Sequence, residues 1–126
     1  MTRHVLIIDD EPDIRRVVQV SLEKFARWRT TLAASGQAGL EKARAETPDA
    51  ILLDVSMPDM DGVTCFNQLQ ADPATRPIPV VLLTAKVLPS DRQRFAEMGV
   101  AGVVTKPFDP LTIWREVAEI LHWNQD

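Results

Sequence analysis

The chain has 126 residues, a net charge of −4, 45% apolar and 25% charged residues, the make-up of one globular domain large enough to hold a core without staples. Its single cysteine, Cys65, cannot close an internal disulfide, and with only His4 and His122 beside it a structural zinc site is excluded. No apolar run approaches the ~20 residues that span a bilayer, Asp9-Asp10-Glu11 interrupts any signal-peptide core, and the mild acidity opposes a nucleic-acid surface, so a reducing, cytoplasmic setting is expected.

Five short apolar runs alternate with amphipathic stretches. Val5-Leu6-Ile7-Ile8 opens the chain and ends in Asp9-Asp10. A helix is predicted from Pro12, a good first-turn residue, with Ile14, Val17, Val18, Leu22 and Phe25 as its buried stripe. Arg15, Arg16, Lys24, Arg27 and Arg29 read as a solvated face. Trp28 falls in the connection that follows. Thr30-Thr31-Leu32-Ala33 is the weakest run, because its threonines suit solvent as well as a core. A second helix is expected over Gln37–Glu46, ending before Pro48. Ala50-Ile51-Leu52-Leu53 follows and ends in Asp54.

A third helix is expected over Val63–Leu69 and contains Cys65, read as a buried, inert thiol. Val80-Val81-Leu82-Leu83 ends in Thr84. A fourth helix runs from Ser90 as N-cap to Gly99 as C-cap. Gly102-Val103-Val104-Thr105 ends in Lys106-Pro107. A fifth helix runs from Pro110 to His122 with Ile113, Val117, Ile120 and Leu121 inward; Trp114 lies beside that stripe, half core and half surface. Trp123, near the terminus, is read first as a packing residue. Branched runs without polar alternation suit strands buried on both faces of a parallel sheet. Five strand–helix units make an α/β domain with helices on both faces, and ligands of such sheets bind beyond the carboxyl ends of the strands.

Those ends carry Asp9, Asp10, Asp54, Thr84 and Lys106. Carboxylates packed together repel unless a cation intervenes, and a hard divalent ion such as magnesium takes oxygen ligands and offsets phosphoryl charge. A carboxylate can act as nucleophile and form an acyl phosphate. Lys106 could neutralise phosphate oxygens and Thr84 could donate a hydrogen bond to them. Taken singly, each residue has an ordinary alternative. Asp9-Asp10-Glu11 would suit a helix N-terminus, Asp59 and Asp61 of "MPDMDG" are turn formers, Thr84 a strand residue and Lys106 an edge lysine.

In order, "VLIIDDEPDIRRVV", "AILLDVSMPDMDG", "VVLLTA" and "VTKPF" resemble the receiver domain of two-component response regulators, over nearly the whole chain. The resemblance implies a doubly wound, flavodoxin-like five-stranded parallel sheet in the order 2-1-3-4-5, a single domain over residues 1–126 with no output domain. It implies Asp54 as phosphoacceptor and Mg2+ held by Asp10 directly, by Asp9 partly through water, by Asp54 and by the backbone carbonyl of Ser56. Thr84 and Lys106 would bind the phosphoryl group, and the Lys106–Pro107 bond would be cis. Implied partners are a sensor histidine kinase or histidine phosphotransfer protein, and a downstream target on the face of helix 4, strand 5 and helix 5. Neither nucleic-acid binding nor membrane insertion is expected. By the resemblance, Ser56 and Lys86 would flank the path of attacking water, with opposite effects on phosphoryl lifetime; taken singly, Lys86 reads as a solvent-facing lysine. One departure stands out: Val103 occupies the place of an aromatic that swings inward in many receivers. A phosphohydrolase of the haloacid dehalogenase type also uses a strand-end aspartate, but it needs an acid where Ser56 stands. A degenerate, constitutive binding module would lack one of the acidic pair, the acceptor or the lysine.

Overall fold

The computed structural model describes residues 2–85 and 88–123. Lys86 and its expected role in phosphoryl lifetime therefore lie outside the described residues. Five strands, β1 (His4–Ile8), β2 (Arg29–Ala33), β3 (Ala50–Asp54), β4 (Val80–Thr84) and β5 (Gly102–Thr105), alternate with α1 (Pro12–Ser21), α2 (Gly36–Glu46), α3 (Gly62–Ala71), α4 (Pro89–Met98) and α5 (Ile113–Leu121). All strand pairs are parallel and the order is β2-β1-β3-β4-β5, the order the resemblance implies.

Side chains alternate across each strand, so the runs feed two cores. Leu6 and Ile8 of β1, Ile51 and Leu53 of β3, and Val80 and Leu82 of β4 pack with Leu40, Phe66, Leu69 and Phe95 from α2, α3 and α4. On the opposite face, Val5, Ile7, Leu52, Val81 and Leu83 meet Val18 and Leu22 from the first helical segment and Ile113 and Val117 of α5. β1, β3 and β4 are buried at every position, whereas edge strand β2 is buried only at Ala33.

Several boundaries depart from expectation. α1 gives way to a π-helical segment, Leu22–Ala26, closed by Arg27 in the left-handed region (φ 60°). The wider i→i+5 turn carries Phe25 off the expected stripe, and it is 41% exposed. Trp28 lies in the connection, as expected, but its side chain is part of the core. It meets Trp123 edge-to-face at 5.0 Å, and Arg3 lies 4.6 Å above the Trp123 ring, so Trp123 is a packing residue. α4 starts at Pro89 with Leu88 as N-cap, not at Ser90. Proline suits the first turn, and the Asp91 carboxylate accepts from the Leu88 amide at 3.2 Å. Gly99 caps the other end at φ 95°, as expected. α5 begins at Ile113 rather than Pro110, because Asp109 first closes a turn by accepting from the Leu111 amide at 2.8 Å. Trp114 is half-buried, its indole N–H donating to the Leu111 carbonyl at 3.1 Å.

Candidate functional site

Strand register assembles the site. Ile8 lies opposite Leu53, Asp54 opposite Leu83, and Thr84 opposite Thr105. The residues that end or follow these strands, Asp9, Asp54, Thr84 and Lys106, are thereby aligned along one edge. Asp9, Asp54 and Thr84 are buried, and Asp10 is half-buried at the start of the β1–α1 connection.

Lys106 links two of the carboxylates. Its Nζ lies 3.2 Å from Asp9 Oδ2 and 3.2 Å from Asp54 Oδ1. The Lys106–Pro107 bond is cis. Asp9 Oδ1 also accepts from the Glu11 amide at 2.9 Å, and Asp54 Oδ1 accepts from the Ser56 amide at 3.3 Å. Burial pushes the Asp54 carboxyl up from 3.8 to about 6, helped by the Asp9 charge and only partly offset by Lys106. Burial alone would lower the Lys106 ammonium, but Asp9 and Asp54 outweigh it and hold the group above its ordinary value.

Asp10 Oδ1 and Asp54 Oδ2 are buried with no hydrogen-bond partner among the described residues. One oxygen each from Asp9, Asp10 and Asp54 lies within 4.8 Å of the others. Buried acceptors of this kind require a partner, and an all-oxygen set of three carboxylates suits a hard cation such as magnesium.

Two contributors were not apparent in the sequence. Arg15, read as part of a solvated face, donates from Nη1 to the Asp9 backbone carbonyl at 2.8 Å; a one-turn reach back from a helix leaves no mark in composition. Gly62, read only within a turn, lets the start of α3 approach the acceptor strand. A Cβ there would lie 2.6 Å from the Asp54 carbonyl oxygen and 2.7 Å from Val55 Cα. Asp61, expected as a turn former, serves as the N-cap of α3. Its carboxylate accepts from the Thr64 amide at 2.8 Å, which holds its carboxyl below the ordinary value. Asp59 is exposed. Cys65 is buried, and burial lifts its thiol to about 11.

Comparison with known proteins agrees with this arrangement. The family model for the response regulator receiver domain matches residues 5–118. The chain is 37% identical over 98% of its length to the response regulator PleD of Caulobacter vibrioides, covering 27% of that protein. It is 35% identical over 99% of its length to the alkaline phosphatase synthesis transcriptional regulatory protein PhoP of Bacillus subtilis, covering 51% of that protein. It thus spans about a quarter and about half of these two curated relatives. Among solved structures, the chemotaxis response regulator CheY4 of Vibrio cholerae superposes with a TM-score of 0.88 at 29% identity, covering 95% of this chain and 99% of that one. The chain belongs to the response regulator receiver domain family.

Proposed function

We propose that the chain accepts a phosphoryl group on Asp54 from a phosphohistidine partner, a sensor histidine kinase or histidine phosphotransfer protein, in a magnesium-dependent reaction. The observation that carries this reading is the trio of carboxylates with two orphaned buried oxygens beside a buried lysine. Asp9, Asp10, Asp54 and the Ser56 backbone carbonyl would hold magnesium. The ion would offset the mutual repulsion of the carboxylates and the charge of an incoming phosphoryl group. Asp54 Oδ2 is the oxygen left for attack, because Lys106 and the Ser56 amide engage Oδ1. Thr84 and Lys106 would hold the transferred phosphoryl oxygens. The chain acts as a switch, assisting only its own phosphorylation and hydrolysis. Its place of action is the cytoplasm; no helix among the described residues is long and apolar enough to cross a membrane.

Phosphorylation would bias a two-state equilibrium and alter the face of α4, β5 and α5 offered to a downstream protein. That face holds a cavity of about 450 Å³ with Arg92, Val103, Glu116, Glu119 and Ile120 in its wall. Val103 is half-buried against the core beneath α4, so we place the switch in the backbone of residues 85–89 and in α4 instead of an aromatic rotamer. Superposing free and beryllofluoride-bound forms tests this: an unmoved 85–89 segment would sink it. Acetyl phosphate and magnesium should yield an adduct that mass spectrometry maps to Asp54, and chelation should abolish it. Absence of the adduct would favour a constitutive binding module, and turnover of phosphate esters would favour a hydrolase.

A further inference from the structure

The short link between β1 and α1 carries two of the three carboxylates, and they are held differently. Asp9 is fixed on several sides: its amide donates to the Ala33 carbonyl at 3.1 Å, its Oδ1 accepts from the Glu11 amide at 2.9 Å, and its Oδ2 accepts from Lys106 Nζ at 3.2 Å. Asp10 is half-buried, and its Oδ1 has no partner among the described residues. What aims the Asp10 carboxylate is the backbone on either side of it. The peptide after Asp10 is pinned through the Glu11 amide, which donates to Asp9 Oδ1. The peptide before it is pinned through the Asp9 carbonyl, which accepts from Arg15 Nη1 at 2.8 Å. With both peptide planes held, the two backbone torsions between them are set, and the direction of the Asp10 side chain with them. Arg15 stands one turn into α1, its amide donating to the Glu11 carbonyl at 3.0 Å. Helical side chains tilt towards the N-terminus, which brings the guanidinium back over the link. Arg15 enters no ion pair among the described residues, so the Asp9 carbonyl is its polar partner there.

We propose that Arg15 is a positioning residue of the cation site: by holding the Asp9 carbonyl it aims the Asp10 carboxylate, and thereby sets the affinity for magnesium and its margin over calcium. The inference rests on the reading of Asp9, Asp10 and Asp54 as a magnesium site. Magnesium demands near-octahedral geometry at short distances, whereas calcium accepts a looser shell. A carboxylate released from its aim therefore costs magnesium more than calcium. Groups that orient a ligand without touching the metal are typically worth about 10–100-fold in affinity. A role through charge alone has the opposite sign. A guanidinium beside the site repels a dication, so neutralising it would tighten magnesium and calcium binding alike.

Calorimetric titration of Mg2+ and of Ca2+ into wild type, Arg15→Met and Arg16→Met separates the two roles. Methionine keeps a long stem and a high helix propensity without the donors. Arg16 is an exposed neighbour whose replacement removes the same charge. Arg15→Met should raise the magnesium Kd at least about tenfold and the calcium Kd by a clearly smaller factor, whereas Arg16→Met should leave the ratio of the two unchanged. Labelling of Asp54 by acetyl phosphate gives a second readout. Arg15→Met should need roughly tenfold more magnesium for its half-maximal rate and should reach the wild-type rate at saturation. Arg15→Gln, too short to reach the carbonyl, is measured alongside so that unfolding of one variant, read by circular dichroism, does not decide the result; it should behave as Arg15→Met does. Unchanged or tighter magnesium binding in a folded Arg15 variant, or equal losses for both cations, would overturn the proposal. A labelling rate that stays low at saturating magnesium would also overturn it, because Arg15 would then act on the transfer itself. A wild type that binds no magnesium would overturn the metal site, and the role of Arg15 with it.

Discussion

Asp54→Asn should stabilise the metal-free protein, and the gain should depend on pH. The Asp54 carboxyl rises from 3.8 to about 6 on folding, chiefly by burial and next by the Asp9 charge. The folded state thus disfavours ionised Asp54, and the associated stability is present below 3.8 and lost as pH rises through about 6. The interval is about two units, and at ~1.36 kcal/mol per unit it amounts to about 3 kcal/mol. Asparagine keeps the shape of the carboxyl without the charge, so the variant escapes that loss. For a chain of this length about 3 kcal/mol corresponds to a rise in Tm of roughly 10 °C. Thermal unfolding followed by circular dichroism in EDTA at pH 4 and pH 8 reads the effect directly. The two proteins should melt together at pH 4 and separate at pH 8, with the variant higher. Magnesium should narrow the gap, because a ligand at tenfold its Kd adds ~1.4 kcal/mol to the form that binds it better. A variant less stable than wild type at pH 8, or a gap of equal size at both pH values, would refute the electrostatic reasoning.

Lys106→Met should have the opposite sign. It leaves Asp9 and Asp54 buried without their shared cation, which should cost about 3 kcal/mol in EDTA, and magnesium should restore much of the loss in urea titrations. Gly62→Ala sets a Cβ against the backbone of Asp54 and Val55, so urea unfolding should show a loss of ~1–3 kcal/mol, with slower adduct formation as the acceptor strand shifts. Cys65, with its thiol lifted to about 11 by burial, should resist iodoacetamide at pH 8 in the folded chain and react once urea unfolds it.

The sheet was legible because each buried strand is a continuous apolar run ended by a polar residue. Val5–Ile8, Ala50–Leu53 and Val80–Leu83 have both faces covered, so burial leaves no polar alternation to obscure them. The site was legible for the same reason: a carboxylate directly after Leu53 is costly to bury and so calls for a function. The π-helical segment was not legible, since Leu22-Glu23-Lys24-Phe25-Ala26 fits an ordinary helical turn just as well. The burial of Trp28 depends on Trp123, 95 positions away in the chain, and no local pattern reports such a pair. The start of α4 was misplaced because its cap is unusual. Leu88 caps α4 with no side-chain oxygen of its own, and its amide is satisfied by Asp91.

Instability and the proposed reactivity at this site have one origin. Among the described residues, Asp54 is held by a single oxygen: Lys106 and the Ser56 amide both engage Oδ1. Had the fold satisfied Oδ2 as well, the carboxyl would titrate lower and the domain would be more stable, but the nucleophilic lone pairs would be occupied. The same holds for Asp10, whose Oδ1 is buried and unpartnered next to the other two carboxylates. A backbone donor to Asp10 Oδ1 would stabilise the apo chain and compete with a cation, and one to Asp54 Oδ2 would compete with phosphorus. The strained carboxylate cluster is therefore tied to the proposed activity: any substitution that relaxes it in the metal-free state should weaken metal binding or transfer in proportion. Asp54→Asn is the limiting case, in which the stability gain is largest and acceptance of phosphate is abolished.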